Sequence, residues 1–442
     1  MTTPERLERS LPSILGDLAM GPTPDYIDDV LGTTAHQRQR PAWTFPERWL
    51  PMADITTRQA VSPRVPFRTI GVGLVVLAFI VAAALVYIGS HQTRLPAPFG
   101  PAANGLIPFV SGGDIYLGDP ITGETRLLVS SPEDESGPVT SPDGTRVAFA
   151  RDIPGTTSAD VYVIRADGSD LHRITPKPFD NLHWGGWTPD GSRMALIHDV
   201  DGPSPGCATT ICHVATLDLV DAAGSGAVKT IASADGMSFV LYRPPDGRQV
   251  LYRALVGGKW GLFSMDPDGQ NVRTVVQPTV PSEMDLAFAA TAYSADGNRI
   301  FFNQYTEDAS FGDPGCCQLF VVNADGSDLH KFIPNTGDTW DGEAAISPDG
   351  KHIAFWHNLP NRSTHRVSVI AADGTGQIIE TGPELPGTAH WVWSPDSTKI
   401  LMFPDGVDTG KAYLLDPAGG RWTTVPWGSD GDLDWQRVAP PG

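Results

Sequence analysis

The chain has 442 residues, with 31 Lys and Arg against 51 Asp and Glu, a formal net charge of −20 at pH 7. That balance excludes nucleic acid and anionic lipid headgroups as partners of the charged part of the chain, because recognition of phosphate rests on clustered cations. It suits cations or basic partners, although solubility alone accounts for most of the surplus acid.

The first 68 residues carry eight basic and eight acidic side chains, so the whole net charge belongs to residues 91–442, with 23 basic against 43 acidic. Leu7, Leu11, Ile14, Leu15 and Leu18 fall at helical spacing. Thr23-Pro24-Asp25 is a helix start for Tyr26, Ile27, Val30 and Leu31. An aromatic, proline-punctuated stretch follows, with Trp43, Phe45 and Trp49 between Pro41 and Pro51. Two short amphipathic helices cannot enclose a core, so residues 1–68 are expected to dock on a cytoplasmic partner or on the membrane surface. A disordered linker of slight helicity is the alternative.

From 69 to 90 there is no charged residue, and 70–88 is almost wholly apolar. At about 1.5 Å per residue this length crosses a bilayer as one helix, and its internal position predicts an anchor rather than a cleaved signal peptide. Arg58, Arg64 and Arg68 precede it while only Arg94 follows closely, which predicts a cytoplasmic N-terminus and puts the rest outside the cell membrane. Ala78 and Ala82, four apart, offer a weak seat for a helix partner. Residues 91–105 read as a linker.

Beyond the linker a short phrase recurs six times. It reads Ser141-Pro-Asp143-Gly-Thr-Arg146-Val-Ala-Phe149, then Thr188-Pro-Asp190-Gly-Ser-Arg193-Met-Ala-Leu196, and returns around Asp246, Asp296, Asp349 and Asp396. The aspartates are 47, 56, 50, 53 and 47 residues apart, a period in the range of propeller blades. Asp-Gly supplies the positive-φ positions of a tight hairpin, and apolar residues follow it. A second phrase falls between copies, from Asp160 to Thr175 and again from Gln318 to Ile333, with Asp167-Gly168 and Asp325-Gly326 at its turn. Each unit therefore holds four strands, A to D, with the first phrase as the A–B turn and the second as the C–D turn.

B–C–D units begin near Leu106, Val147, Met194, Val250, Ile300, Ile353 and Ile400, and only six have an A strand before them. The missing strand is expected from 432–438, where Trp435 echoes Trp187 and Trp393. The fold predicted over 106–438 is thus an all-β, seven-bladed propeller, at about 48 residues per blade, closed by its last strand. Six or eight blades are the alternatives, and the unit around Arg243-Pro-Pro-Asp246 departs most from the pattern.

These phrases resemble the TolB-type, WD40-like propeller repeats of bacterial envelope proteins, over roughly three quarters of the chain. The resemblance implies the fold; its members serve as adaptors, lyases and non-catalytic domains of peptidases, so it implies no single function.

All four cysteines lie beyond the predicted span, where disulfides persist. Cys207 and Cys212, in the B–C loop of the third blade, are expected to close a small ring. The adjacent Cys316 and Cys317 leave a vicinal disulfide, free thiols or an external ligand open. Their spacing matches no zinc pattern, and no metal or cofactor is expected.

In this architecture the longer B–C and D–A loops share one face, the usual functional one. Its candidate binding residues are His183, Trp184, Glu283, Asp285, Trp340, Asp341, His390 and Trp391. Acidic groups beside flat aromatics suit a protein partner, a cation or a carbohydrate. The competing reading is that tryptophans at A strands pack between blades, which is favoured for Trp187 and Trp393. No Gly-x-Ser-x-Gly elbow is present and no room remains for a hydrolase domain, so no enzymatic activity is expected. The Asp-x-Asp-Gly runs at Asp199 and Asp266 lack a full calcium loop and read as turns.

A short cytoplasmic helical segment, one span and an extracytoplasmic sensor is a layout similar to that of anti-sigma factors. The His-x-x-x-Cys-x-x-Cys motif of their zinc-binding branch is missing, since residues 1–68 hold no cysteine. The primary expectation is a membrane-anchored binding or scaffolding module. A transmembrane regulator with the propeller as sensor, and an envelope carbohydrate-active enzyme, are the alternatives.

Overall fold

The computed structural model describes residues 74–79, 81, 95–203, 213–281, 291–305, 317–333, 340–358, 365–385, 389–404, 411–430 and 433–439. Residues 1–68, Cys207, Cys212, Cys316, Glu283 and Asp285 lie outside them, and with them the expectations of the helical tail and the disulfide ring. Of the predicted span, 74–79 and 81 are described and are helical. Among the described residues no helix is long and apolar enough to cross a membrane. Two compact units, Met1–Ser90 and His91–Gly442, divide the chain.

The second unit is a propeller of seven antiparallel sheets. Blade 2 shows the pattern: Glu135–Thr140 is strand A, Arg146–Asp152 is B, Ser158–Arg165 is C and His172–Arg173 is D. The other A strands are His183–Trp187, Leu241–Tyr242, Ala292–Tyr293, Trp340–Ile346 and Ala389–Trp393, in blades 3 to 7. Val147-Ala-Phe-Ala150 of strand B is buried at four successive residues. Such a run marks a strand covered on both faces, because each sheet is sandwiched between two neighbours. Accordingly the core divides into seven apolar clusters, one per seam. The cluster of Ile115, Leu117, Val147 and Phe149 joins blades 1 and 2. That of Ile107, Phe109, Leu401 and Phe403 joins blade 1 to blade 7 and completes the circle.

Blade 1 has only three strands of its own, Ile107–Ser111, Asp114–Gly118 and Thr125–Val129. The C-terminal segment supplies the fourth. Leu433 bridges Phe109, the Asp430 amide donates to the Val110 carbonyl at 2.9 Å, and the Gln436 amide donates to the Leu106 carbonyl at 3.0 Å. Arg437–Val438 then pairs with Ala103–Asn104. Trp435 is 3% exposed and its indole N–H donates to the Gly105 carbonyl at 3.2 Å. This exchange pins both ends of the propeller domain to one blade and pairs the inner edge of blade 1.

The repeated turn owes its regularity to its side chains. Ser141 Oγ donates to Asp143 Oδ1 at 2.5 Å and accepts the Arg146 amide at 3.0 Å, while Asp143 Oδ1 also takes the Thr145 amide at 3.0 Å. The same hub forms at Thr188/Asp190, Ser294/Asp296, Ser347/Asp349 and Ser394/Asp396. The residue after the aspartate is left-handed, with φ 70° at Gly144, and in the last copy Ser397 takes that place at φ 64°. Blade 4 breaks the rule: its turn is one residue longer, the Gly247 amide donating to the Arg243 carbonyl at 2.8 Å, and Pro244 stands two residues before Asp246.

Candidate functional site

Strand A of one blade touches strand A of the next, as in the pairs of blades 5 and 6 and of blades 6 and 7, so the N-terminal ends of these strands share one rim. His183 and His390 are exposed there, in blades 3 and 7. Trp184 and Trp391 follow them and are half-buried. They occupy equivalent positions, since a bulge between Trp184 and Gly186 absorbs the extra residue before Trp187. Trp184 packs against strand A of blade 2 so closely that a Cβ on Gly137 would overlap its Nε1. Trp391 meets Trp356 edge-on, at 4.9 Å and 82°. Each aromatic is therefore both a wedge between strands and a partly open surface. Trp340 and Asp341 lie on strand A of blade 6, with side chains outside the described residues, and Cys317 opens strand C of blade 5 in the same condition.

The tryptophans further in, Trp187 and Trp393, are core. Trp187 donates to the Val139 carbonyl at 3.1 Å and Trp393 to the Ala345 carbonyl at 3.0 Å, each crossing to the preceding blade.

Two buried polar groups near this rim were not among the predicted site residues as pairs. Glu135, the first residue of strand A in blade 2, is 1% exposed. Its Oε1 accepts from the Ser131 hydroxyl at 2.6 Å and from Arg151 Nε and Nη2 at 3.2 and 3.0 Å. Arg151 also lies over the Tyr162 ring at 4.4 Å. Next to it, burial and then the charge of Asp134 push the Asp152 carboxyl up. Neither Glu135 nor its arginine, sixteen positions on, carries a motif in the sequence.

The second is His198 on strand B of blade 3, stacked on Phe179 at 4.1 Å. Its Nε2 lies 3.0 Å from Asp218 Oδ2 and its Nδ1 3.1 Å from the Asp199 carbonyl oxygen, while Thr230 donates to Asp218 Oδ1 at 2.6 Å. Both oxygens facing the ring only accept, so the ring is best served as an imidazolium. The bond to Asp218 raises the His198 pKa, against its burial. Asp218 is pushed up by its own burial, but His198 and Thr230 outweigh this and hold it below the usual range. With both nitrogens engaged, His198 is not poised to take a proton from a nucleophile. Among the described residues no group of His, Cys, Asp and Glu is arranged to hold a metal ion.

No protein-family profile matches the chain. It is 28% identical over 362 residues to Tricorn protease homolog 1 of Streptomyces coelicolor, covering 75% of this chain and 28% of the relative. It is 24% identical over 228 residues to the uncharacterized peptidase YuxL of Bacillus subtilis, covering 50% of this chain and 29% of the relative. The chain thus spans less than a third of the length of either relative. Among solved structures it overlays on a prolyl endopeptidase with a TM-score of 0.52 at 16% identity, covering 76% of this chain and 50% of that one. Oligogalacturonate lyase gives 0.52 at 14% identity, with 76% and 86% covered. TolB of Acinetobacter baumannii gives 0.45 at 17% identity, with 76% and 81% covered. The two overlays at 0.52 bear out the propeller fold.

The sequence relatives correct one expectation. The missing Gly-x-Ser-x-Gly elbow argued for no enzymatic activity, yet both relatives are named as peptidases. A motif missing from a chain that spans under a third of its relatives does not argue against an enzymatic role.

Proposed function

We propose that this chain is a peptide-handling propeller held at a membrane by residues 69–90, whose loop face takes up basic, extended protein segments. The observation that carries the reading is the rim itself. Two exposed histidines and two half-open tryptophans stand on an acidic domain with 23 basic against 43 acidic residues. Flat aromatics beside surplus carboxylates attract Lys and Arg side chains through cation–π contact and long-range field. The relatives named as peptidases make peptide processing the setting.

The membrane part is supported by the described turns of the span. Leu74, Val75, Val76, Leu77, Phe79 and Val81 are all at least half exposed. Four successive helical residues point to all sides of a helix, so this segment is apolar all round, as a helix in lipid is. Carbonate-washed membranes of the expressing host should retain the full chain and release one lacking 69–90.

The rim is tested with the full chain in lipid nanodiscs, by fluorescence anisotropy of twelve-residue labelled peptides. A Lys/Arg-rich peptide should bind at least tenfold more tightly than a Glu-rich one of equal apolar content. Trp184→Leu with Trp391→Leu, which keeps an apolar wedge in each seam, should remove that preference while the circular dichroism spectrum is unchanged. Equal binding of the two peptides would end the proposal.

A further inference from the structure

The opposite face, made of the tight turns, holds a second feature. A cleft of about 460 Å³ opens between blades 3 and 4, and Tyr242 on strand A of blade 4 lines it. It coincides with the one turn that breaks the repeat, at Arg243-Pro-Pro-Asp246. Below the apolar seam that joins the two blades, their turns approach each other at two glycines. A Cβ on Gly247 would lie 2.5 Å from the Pro189 ring, and one on Gly269 would overlap the Ile231 carbonyl oxygen. Between these contacts the walls stay apart.

The free cationic groups and the free carboxylates stand on opposite walls. Blade 3 contributes the exposed Arg193 and Lys229, and blade 4 contributes Asp246 and Asp268 from its two turns. Neither cationic group forms an ion pair within 4.0 Å or a side-chain hydrogen bond among the described residues. Asp190, on the blade 3 wall, is already saturated by Thr188 and Ser192. Among the described residues Asp268 accepts only the Gln270 amide, at 3.1 Å. Asp246 accepts the Arg248 amide at 3.1 Å and meets Arg248 Nε at 3.3 Å on the open surface. The buried Tyr242 hydroxyl has no partner among the described residues. Opposite charges thus face each other without meeting, and what bridges them must itself be dipolar.

We infer that this cleft binds the free termini of a short peptide, its carboxylate on Arg193 and Lys229 and its ammonium on Asp268 and Asp246. The volume lies in the range of small-molecule sites. An extended di- or tripeptide spans about 7–11 Å. This site is independent of the loop face and of any partner there.

Isothermal titration calorimetry of the full chain with trialanine, its C-terminal amide, its N-acetyl derivative and inorganic phosphate tests the inference. Trialanine should bind saturably, one per chain. Amidation and acetylation should each weaken it by about tenfold or more, the scale of one lost charge-assisted hydrogen bond. Arg193→Gln with Lys229→Gln should abolish the penalty for amidation, and Asp268→Asn should reduce that for acetylation. Trp184→Leu with Trp391→Leu should leave the titration as it is. No saturable heat from trialanine overturns the site, and so does an amide that binds as well as the acid. Phosphate binding as tightly as trialanine overturns the dipolar reading in favour of a bare anion site.

Discussion

Replacing Trp435 by Ala tests whether the C-terminal segment closes the ring. The indole is 3% exposed and packs with Ile107, Phe109, Leu401, Phe403 and Trp427 at the seam of blades 7 and 1. Emptying such a site costs about 3–5 kcal/mol, and losing the N–H bond to the Gly105 carbonyl adds about 0.5–1.5 kcal/mol. Trp435→Phe keeps most of the volume and should cost about 1–3 kcal/mol. Trp422→Ala, 44% exposed on strand D of blade 7, is the control and should cost under about 1 kcal/mol. Urea unfolding of the full chain, followed by far-ultraviolet circular dichroism, reads the difference as a shift in midpoint. The Trp435→Ala midpoint should fall well below the other two, in the order Ala, Phe, control. If Trp435→Ala unfolds with the control, the last strand is not what holds the ring shut, and the closure argument fails.

Three further expectations concern the turns and the buried histidine. At Asp296 the Ser294 hydroxyl, and at Asp143, Asp349 and Asp396 donors that outweigh burial, hold the carboxyl below its ordinary value. Their contribution is therefore present above the unfolded pKa of about 3.9 and lost as pH falls through the folded values. Ser347→Ala, which removes bonds of 2.6 and 3.0 Å at one hub, should cost about 1–2 kcal/mol near neutrality and much less in melts taken below pH 3. For His198 the folded pKa is raised, so its stabilisation is complete below about pH 6.5 and fades as pH rises through the folded value. His198→Gln should flatten the fall in melting temperature between about pH 6 and 9, and parallel curves for mutant and parent would contradict the imidazolium assignment. Gly247→Ala adds a Cβ 2.5 Å from Pro189 at φ 68°, whereas Gly155→Ala at φ 77° meets nothing within 4 Å. The first should lower the melting temperature clearly more than the second, whose cost is only the left-handed strain of about 1–2 kcal/mol.

The ring was legible because each blade repeats one local solution. Asp-Gly turns at a steady period announce hairpins, and the hydroxyl two residues before five of the six aspartates turns out to be the acceptor and donor that holds the turn. The resemblance of Trp435 to Trp187 and Trp393 was enough to foresee closure: all three are buried indoles that donate to a backbone carbonyl, Trp187 and Trp393 on the preceding blade and Trp435 on Gly105, just before the first strand of blade 1. The sites were less legible, because their members come from different strands with no shared spacing. Glu135 and Arg151 meet only because strands A and B pair in that register, and His198 finds Asp218 across strands B and C, twenty positions away. The same holds for the cleft between blades 3 and 4, where Arg193, Lys229, Asp246 and Asp268 sit on four different turns and strands. Yet its place had a signal. The single copy without the capping hydroxyl is the one beside which the cleft opens. In a repeat protein the consensus residues build the scaffold, so a departure from the consensus marks where the scaffold yields to another demand.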